Sequence, residues 1–295
     1  MRVMAINSTG LQPDREADGN QHRSLSTLAP DAVEALSSTS LRCVECSALY
    51  PALEMGQPPR YRCDCGGVLD VETEFKLPQQ AAASNSEVDS MLYGFDSELD
   101  GGTPSAGSPW RQIFDERAAN PPIWSISSDK MLLDGSGVWR YRELILPAPE
   151  RFVVTRPEGN TSLYPVGIEN CGVGRIGHRQ IGAYAGLERF FLKHEGENPT
   201  GSFKDRGMTV GVTMANLLGA KAVACASTGN TSASLASYAA QAGLEGIVFL
   251  PAGHVAGGKL AQSLAYGART VQIEGDFDDA MRLVEQVCNE LASTC

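Results

Sequence analysis

The stretch HEGENPTGSFKDRG, residues 194–207, places one lysine, Lys204, between a turn-rich loop and the start of a helical pattern. Before it, LERFFLK (187–193) is short, apolar and aromatic, which predicts a buried strand. Glu195 to Ser202 is rich in Gly, Asn, Pro and Ser, the residues of turns. After it, a helix is predicted to run through Met208, Val212 and Leu217, and Ser202 is placed to cap that helix. The Lys204 amine then lies near backbone N–H groups at the positive end of a helix dipole, which disfavours protonation. A neutral amine attacks an aldehyde, so Lys204 is expected to form an imine; a solvated surface lysine is the other reading.

Downstream, the periodicity alternates. The strands KAVACA (221–226), EGIVFLP (245–251) and RTVQIEG (269–275) are separated by helical patterns around Ser232–Ala242 and Gly258–Tyr266, and Phe277–Leu291 closes the series. This βα repetition, read from LERFFLK onward, predicts an α/β fold with a parallel sheet flanked by helices and with functional loops at the carboxyl ends of its strands. The loop Ser227-Thr228-Gly229-Asn230-Thr231-Ser232 follows the second strand. Its N–H groups and hydroxyls at a helix start suit an anion, with ordinary helix capping as the alternative.

Three runs, GENPTGSFKDRGMT (196–209), ACASTGNTSASLASYAAQAGL (224–244) and LPAGHVAGGKLAQSLAYGARTVQIEGDFDDAMRLV (250–284), together resemble the threonine synthases of the fold-type II pyridoxal phosphate enzymes. The resemblance implies that Lys204 carries pyridoxal 5'-phosphate as a Schiff base and then serves as general base. It implies that Asn230 contacts the cofactor ring, that Ser227 and Thr228 help to hold the substrate carboxylate, and that Lys259 engages the phosphate of O-phospho-L-homoserine, with Thr231 a further candidate for that phosphate. A solvated lysine at a helix start is the other reading of Lys259. The implied activity is conversion of O-phospho-L-homoserine and water to L-threonine and phosphate. Cysteate synthase and threonine dehydratase are the alternatives within the class, and an inactive remnant acting as a binding module is the alternative outside it. Members of the family continue through a glycine-rich loop for the cofactor phosphate, so the resemblance also implies a C-terminal half beyond Cys295 and weak cofactor binding without it. A homodimer is expected of the complete enzyme.

The early cysteines form the pattern C-x2-C-x16-C-x-C, at Cys43, Cys46, Cys63 and Cys65. Four thiolates suit a tetrahedral structural zinc, and two cysteine pairs separated by a hairpin make a zinc-ribbon-like module; a metal-free mini-ribbon is the alternative. Threonine synthases carry a similar module around YRC and CGG. The remaining cysteines, Cys171, Cys225, Cys288 and Cys295, are scattered, and no structural disulfide is expected. Cys225 reads as a small buried hydrophobe.

The formal net charge of −11 argues against nucleic acid or a membrane surface as partner. No apolar run approaches a membrane span and the N-terminus lacks the order of a signal peptide, so the cytoplasm is the expected location. Along the chain the expected organisation is a flexible extension over 1–40, with one or two helical turns at Pro30–Leu36, then the cysteine module over 41–74 and a linker or insertion over 75–108. The N-terminal part of a large catalytic domain follows over 109–186, introduced by GVWRYRELILP (137–147), and a small α/β domain over 187–295. Asp205 and Arg206 are expected to serve the structure around the helix rather than the substrate, and neither His194 nor His254 is assigned a role.

Overall fold

The computed structural model describes residues 3–6, 30–52, 60, 62–74, 109–119, 133–167, 178–253 and 257–294. The expected linker over 75–108 lies outside the described residues, as do Cys171, His254 and Cys295. In chain order the elements are β1 (Val3–Ile6), α1 (Pro30–Ser37), β2 (Thr39–Cys43), β3 (Leu49–Pro51), β4 (Leu69–Thr73), α2 (Pro109–Ala119), β5 (Leu163–Pro165), α3 (His178–Ala185), β6 (Phe191–Lys193), α4 (Lys204–Leu217), β7 (Ala222–Ala226), α5 (Asn230–Ala242), β8 (Glu245–Pro251), α6 (Gly257–Ala265), β9 (Arg269–Ile273) and α7 (Phe277–Thr294). The chain forms two compact units, one built mainly from 154–216 and 220–294 together with the first 20 residues, the other mainly from 21–153.

In the first unit, β7, β8 and β9 pair in parallel, joined through α5 and α6, and β1 adds antiparallel to the edge at β9. The expected βα repetition is therefore present from β7 onward. Strand side chains alternate between faces, and both faces of β8 are covered. Val248 and Leu250 pack with Leu235 and Ala236 of α5, while Phe249 packs with Ile273 and Ala280, flanked by Met281, Val284 and Val287 of α7. Each such fully buried large side chain contributes about 1.5–3 kcal/mol.

The strand expected within LERFFLK corrects in two respects. β6 stands outside the parallel sheet and pairs antiparallel with β5, Tyr164 opposite Leu192, in a sheet of two strands. It is also exposed, with Phe191 and Leu192 open to solvent, because a two-stranded ribbon has no further strand or helix over these side chains among the described residues. The strand β1 falls inside the stretch expected to be a flexible extension.

A second cluster of the first unit sets Val154, Val212 and Tyr238 together. Beside it the fully buried Glu158 carboxylate accepts from the Tyr238 hydroxyl at 2.8 Å, the Thr155 hydroxyl at 3.1 Å and the Arg156 N–H at 3.0 Å. Burial and this carboxylate push the Tyr238 hydroxyl well above the ordinary tyrosine range, so it stays a donor.

In the second unit, β2 is the centre of an antiparallel sheet with β3 and β4, Leu41 lying opposite Tyr50 on one side and Val71 on the other. Further along, Trp139 is fully buried at the head of GVWRYRELILP, where the Ser136 hydroxyl accepts the N–H groups of Val138 and Trp139. Arg117 of α2 grips both carboxylate oxygens of Glu143, at 2.6 and 2.8 Å, and Arg142 meets Asp134 at 2.9 Å, all four side chains being largely buried. Paired, hydrogen-bonded charges of this kind hold a small core in register.

Leu250 is only 1% exposed and lies between β8 and α5. Leu250→Ala should lower the unfolding free energy by about 2–5 kcal/mol in urea titrations, through lost transfer energy and a residual cavity. Tyr184→Ala, at a side chain 96% exposed, should shift it by no more than about 0.5 kcal/mol.

Candidate functional site

After β6 a single 3-10 turn, Glu195–Glu197, leads through Asn198 and Thr200 to Lys204, the first residue of α4. Gly201 turns the chain at φ +78°, a left-handed conformation that disfavours residues with a Cβ. The Ser202 hydroxyl accepts the Lys204 N–H at 3.3 Å, so the expected capping contact is present.

The residues flanking Lys204 hold the loop. Glu195 accepts both Nε and Nη2 of Arg206 at 2.8 Å, with further bonds from Thr161 and Asn198, and these donors hold its carboxyl down to about 2. Asn198, nearly fully buried, also accepts the Gly159 N–H at 2.9 Å. Asp205 is fully buried and accepts the Thr200 N–H at 2.7 Å, the Thr200 hydroxyl at 2.6 Å and the Ser234 hydroxyl at 2.6 Å. A carboxylate in the first turn of a helix is further favoured by the helix dipole. Lys204 itself is half-buried, has no carboxylate partner among the described residues, and sets its Nζ 4.8 Å from the centroid of the Phe203 ring.

The Ser227–Ser232 loop runs from the end of β7 into α5. The Ser227 N–H continues the sheet ladder to the Phe249 carbonyl at 3.1 Å, the Ser227 hydroxyl accepts the Gly229 N–H at 3.2 Å, and the Ser232 hydroxyl donates to the Gly229 carbonyl at 2.7 Å. These bonds are the loop's own scaffold. The side chains of Thr228, Asn230 and Thr231 make no hydrogen bond among the described residues, and they stand at the N-terminus of α5, a helix of 13 residues. Ser234, one turn along from Asn230, reaches Asp205, so the helix of the Asn230 loop is tied to the helix of Lys204. Lys259, at the start of α6, donates to the Thr200 carbonyl at 3.2 Å, and Gln262 reaches the same oxygen at 3.5 Å. The helices α4, α5 and α6, which begin at or near Lys204, Asn230 and Lys259, are thus tied to one junction, Thr200 with Asp205.

The residues fit a pyridoxal phosphate aldehyde on one observation: Lys204 has no carboxylate partner among the described residues, and the two charged residues that follow it are both engaged elsewhere. Sequence reasoning assigned Asp205 and Arg206 to structure, and the geometry agrees. It missed Asn198 and Thr200, which in a turn-rich loop carry no signal of their own, and Ser234, whose one available signal was a small polar residue inside the wholly buried stretch Ser232–Ala239 of α5.

In the other unit, the sulfurs of Cys43, Cys46, Cys63 and Cys65 all lie within 4.8 Å of one another, with Cys43 to Cys65 at 3.5 Å and Cys46 to Cys63 at 3.4 Å. A tetrahedral zinc with Zn–S of about 2.3 Å needs thiolates roughly 3.8 Å apart, so this cluster matches its donor set and spacing. Gly67 closes the cradle: a Cβ there would stand 2.7 Å from the Cys43 sulfur. The Tyr50 hydroxyl, 3.1 Å away, leads the contacts that hold the Cys63 thiol down to about 6. At Cys65 the Gly67 N–H pulls downward, but the neighbouring thiols of Cys63, Cys43 and Cys46 outweigh it and push that thiol up to about 12.

Residues 176–294 match the family described as pyridoxal-phosphate dependent enzyme. The chain is similar to threonine synthases: 37% identical over 249 residues to that of Methanocaldococcus jannaschii, covering 84% of this chain and 47% of the relative. It is 50% identical over 165 residues to that of Methanosarcina acetivorans, covering 56% and 37%. To that of Mycobacterium tuberculosis it is 58% identical over 96 residues, covering 32% and 27%. The chain thus spans less than half the length of these curated relatives. Among solved structures it is similar to the processed form of threonine deaminase isoform 2 from Solanum lycopersicum, at 16% identity and TM-score 0.36, covering 65% of this chain and 44% of that one. Among the described residues no helix is long and apolar enough to cross a membrane. The segment 176–294, which carries Lys204, the Asn230 loop and Lys259, is thus the part of the chain that matches the pyridoxal-phosphate dependent enzyme family.

Proposed function

We propose that the chain carries the lysine-bearing part of a threonine synthase, which converts O-phospho-L-homoserine and water to L-threonine and phosphate. The observation that carries the reading is Lys204, unpaired with any carboxylate among the described residues and followed by Asp205 and Arg206, whose charges are engaged elsewhere. Similarity to threonine synthases of several organisms supports the substrate class. Pyridoxal phosphate, when bound, supplies an aldehyde for a lysine amine and an electron-poor ring that stabilises negative charge on the carbon beside the substrate nitrogen. Lys204 Nζ would hold the cofactor and, once displaced by the substrate amine, would take the proton from that carbon. Thr228 and the N–H groups opening α5 would hold the substrate carboxylate, with the Ser227 hydroxyl bracing the loop at Gly229. Asn230 would orient the cofactor ring, and Lys259, with Thr231 nearby in the proposal, would answer the substrate phosphate, a role suited to a compact ammonium.

We also propose that Cys43, Cys46, Cys63 and Cys65 hold one structural zinc. Their closed set of four thiols leaves no position for a substrate, so the metal would serve folding of the ribbon rather than the reaction.

Borohydride reduction of the chain with pyridoxal phosphate, followed by peptide mapping, should place the pyridoxyl adduct chiefly on Lys204; labelling chiefly at another lysine would reject that role. In the loaded protein, O-phospho-L-homoserine should perturb the cofactor absorbance more than homoserine does, and Lys259→Ala should erase the difference. Purified under reducing conditions, the chain should contain one zinc, and Gly67→Ala should lose it, because the added methyl group competes with the Cys43 sulfur for space.

A further inference from the structure

We infer that Tyr50 belongs to the metal site as a positioning residue, donating its hydroxyl proton to the Cys63 sulfur and retarding loss of the ion from that corner of the cluster. The inference rests on the zinc reading of the four cysteines. Tyr50 lies on β3, opposite Leu41 of β2, two residues before Cys43, so strand register brings its ring to the cysteine cluster. Its hydroxyl is 3.1 Å from Cys63 Sγ. It also lies 3.4 Å from Asp64 Oδ2, and the Asp64 N–H points back at it from 3.5 Å. A phenol has one proton to give.

Arg60 decides where that proton goes. Its guanidinium takes Asp64 Oδ1 at 2.6 Å and covers the Tyr50 ring at 4.2 Å from the centroid. With Asp64 already answered by a cation, its carboxylate competes less for the phenol, and a cation over the ring makes the hydroxyl a better donor. A metal-bound Cys63 is a thiolate and can only accept. The hydroxyl therefore donates to sulfur, while the Asp64 N–H supplies the phenol oxygen with a donor of its own. Across the cluster the Cys46 N–H lies 3.5 Å from Cys43 Sγ, a backbone donor of the kind the Cys65 N–H offers Cys63, so the Tyr50 hydroxyl is a side-chain donor in addition to the backbone at that sulfur.

Hydrogen bonds to a metal ligand fix its orientation and temper its charge, and losing one such outer partner costs about 10–100-fold in metal affinity. The experiment compares the full chain with Tyr50→Phe, both loaded with zinc. The variant should transfer its zinc to a competing chelator with an apparent affinity lower by about 10–100-fold. Cobalt(II) in place of zinc gives a second readout: tetrahedral d–d absorption shows that the ribbon is folded, and the thiolate-to-cobalt charge-transfer band should move to lower energy in Tyr50→Phe. That shift follows from lost stabilisation of the sulfur lone pair, which packing alone would not supply. Equal zinc retention and an unmoved charge-transfer band, in a parent chain that holds one zinc, would overturn the inference and leave the zinc reading intact. A parent chain that takes up neither metal would overturn both.

Discussion

The Asp205 carboxylate is the interaction on which the site of the first unit depends. It is fully buried, and it is answered by three hydrogen bonds, two from Thr200 in the loop and one from Ser234 in the following helix. Hydrogen bonds to a charged group contribute about 1.5–3 kcal/mol each, whereas a buried carboxylate left without them is strongly destabilising. Thr200 therefore cannot drift, and its carbonyl in turn becomes the acceptor for Lys259. The loop before α4 is joined to α5 through the Asp205 side chain and to α6 through the Thr200 carbonyl, and Asp205 directly follows the lysine proposed to carry the cofactor.

The immobility of this junction has a chemical use. An amine that must reach an aldehyde, and later a proton on a neighbouring carbon, gains most when its own position is set in advance. The two charged residues after Lys204 face away from it, Asp205 toward Thr200 and Ser234, Arg206 toward Glu195 and Thr161. Neither charge is paired with the lysine proposed to carry the cofactor. The loop before α5 follows the same economy, since Ser227 and Ser232 bond to the loop's own backbone while Thr228, Asn230 and Thr231 keep their polar atoms available among the described residues.

The ribbon of the second unit obeys a different constraint. Three short strands with exposed Leu49, Val68 and Val71 nearby bury little apolar surface, so convergence of four cysteines in one cradle is the feature a metal would turn into stability. The Gly67 position and the Tyr50 hydroxyl both serve that cradle, one by leaving room and the other by offering a donor.

Much of this was legible in the amino-acid sequence. Apolar runs of strand length with helical periods between them predict β7 to α7, and the C-x2-C and C-x-C pairs predict a thiol cluster, because both signals are local and follow from backbone period or ligand spacing. The position of Lys204 at a helix start was legible for the same reason. Only the tertiary structure decided which strands pair and which polar atoms meet. LERFFLK has the composition of a buried strand, yet β6 finds only β5 as partner and stays exposed. Asp205 and Ser234 lie 29 positions apart, Tyr50 and Cys63 13 apart, and Glu158 and Tyr238 80 apart. No local pattern encodes such pairings: a carboxylate or hydroxyl has the same sequence signature whether water or a remote side chain completes its hydrogen bonds, and burial in the folded chain makes that choice.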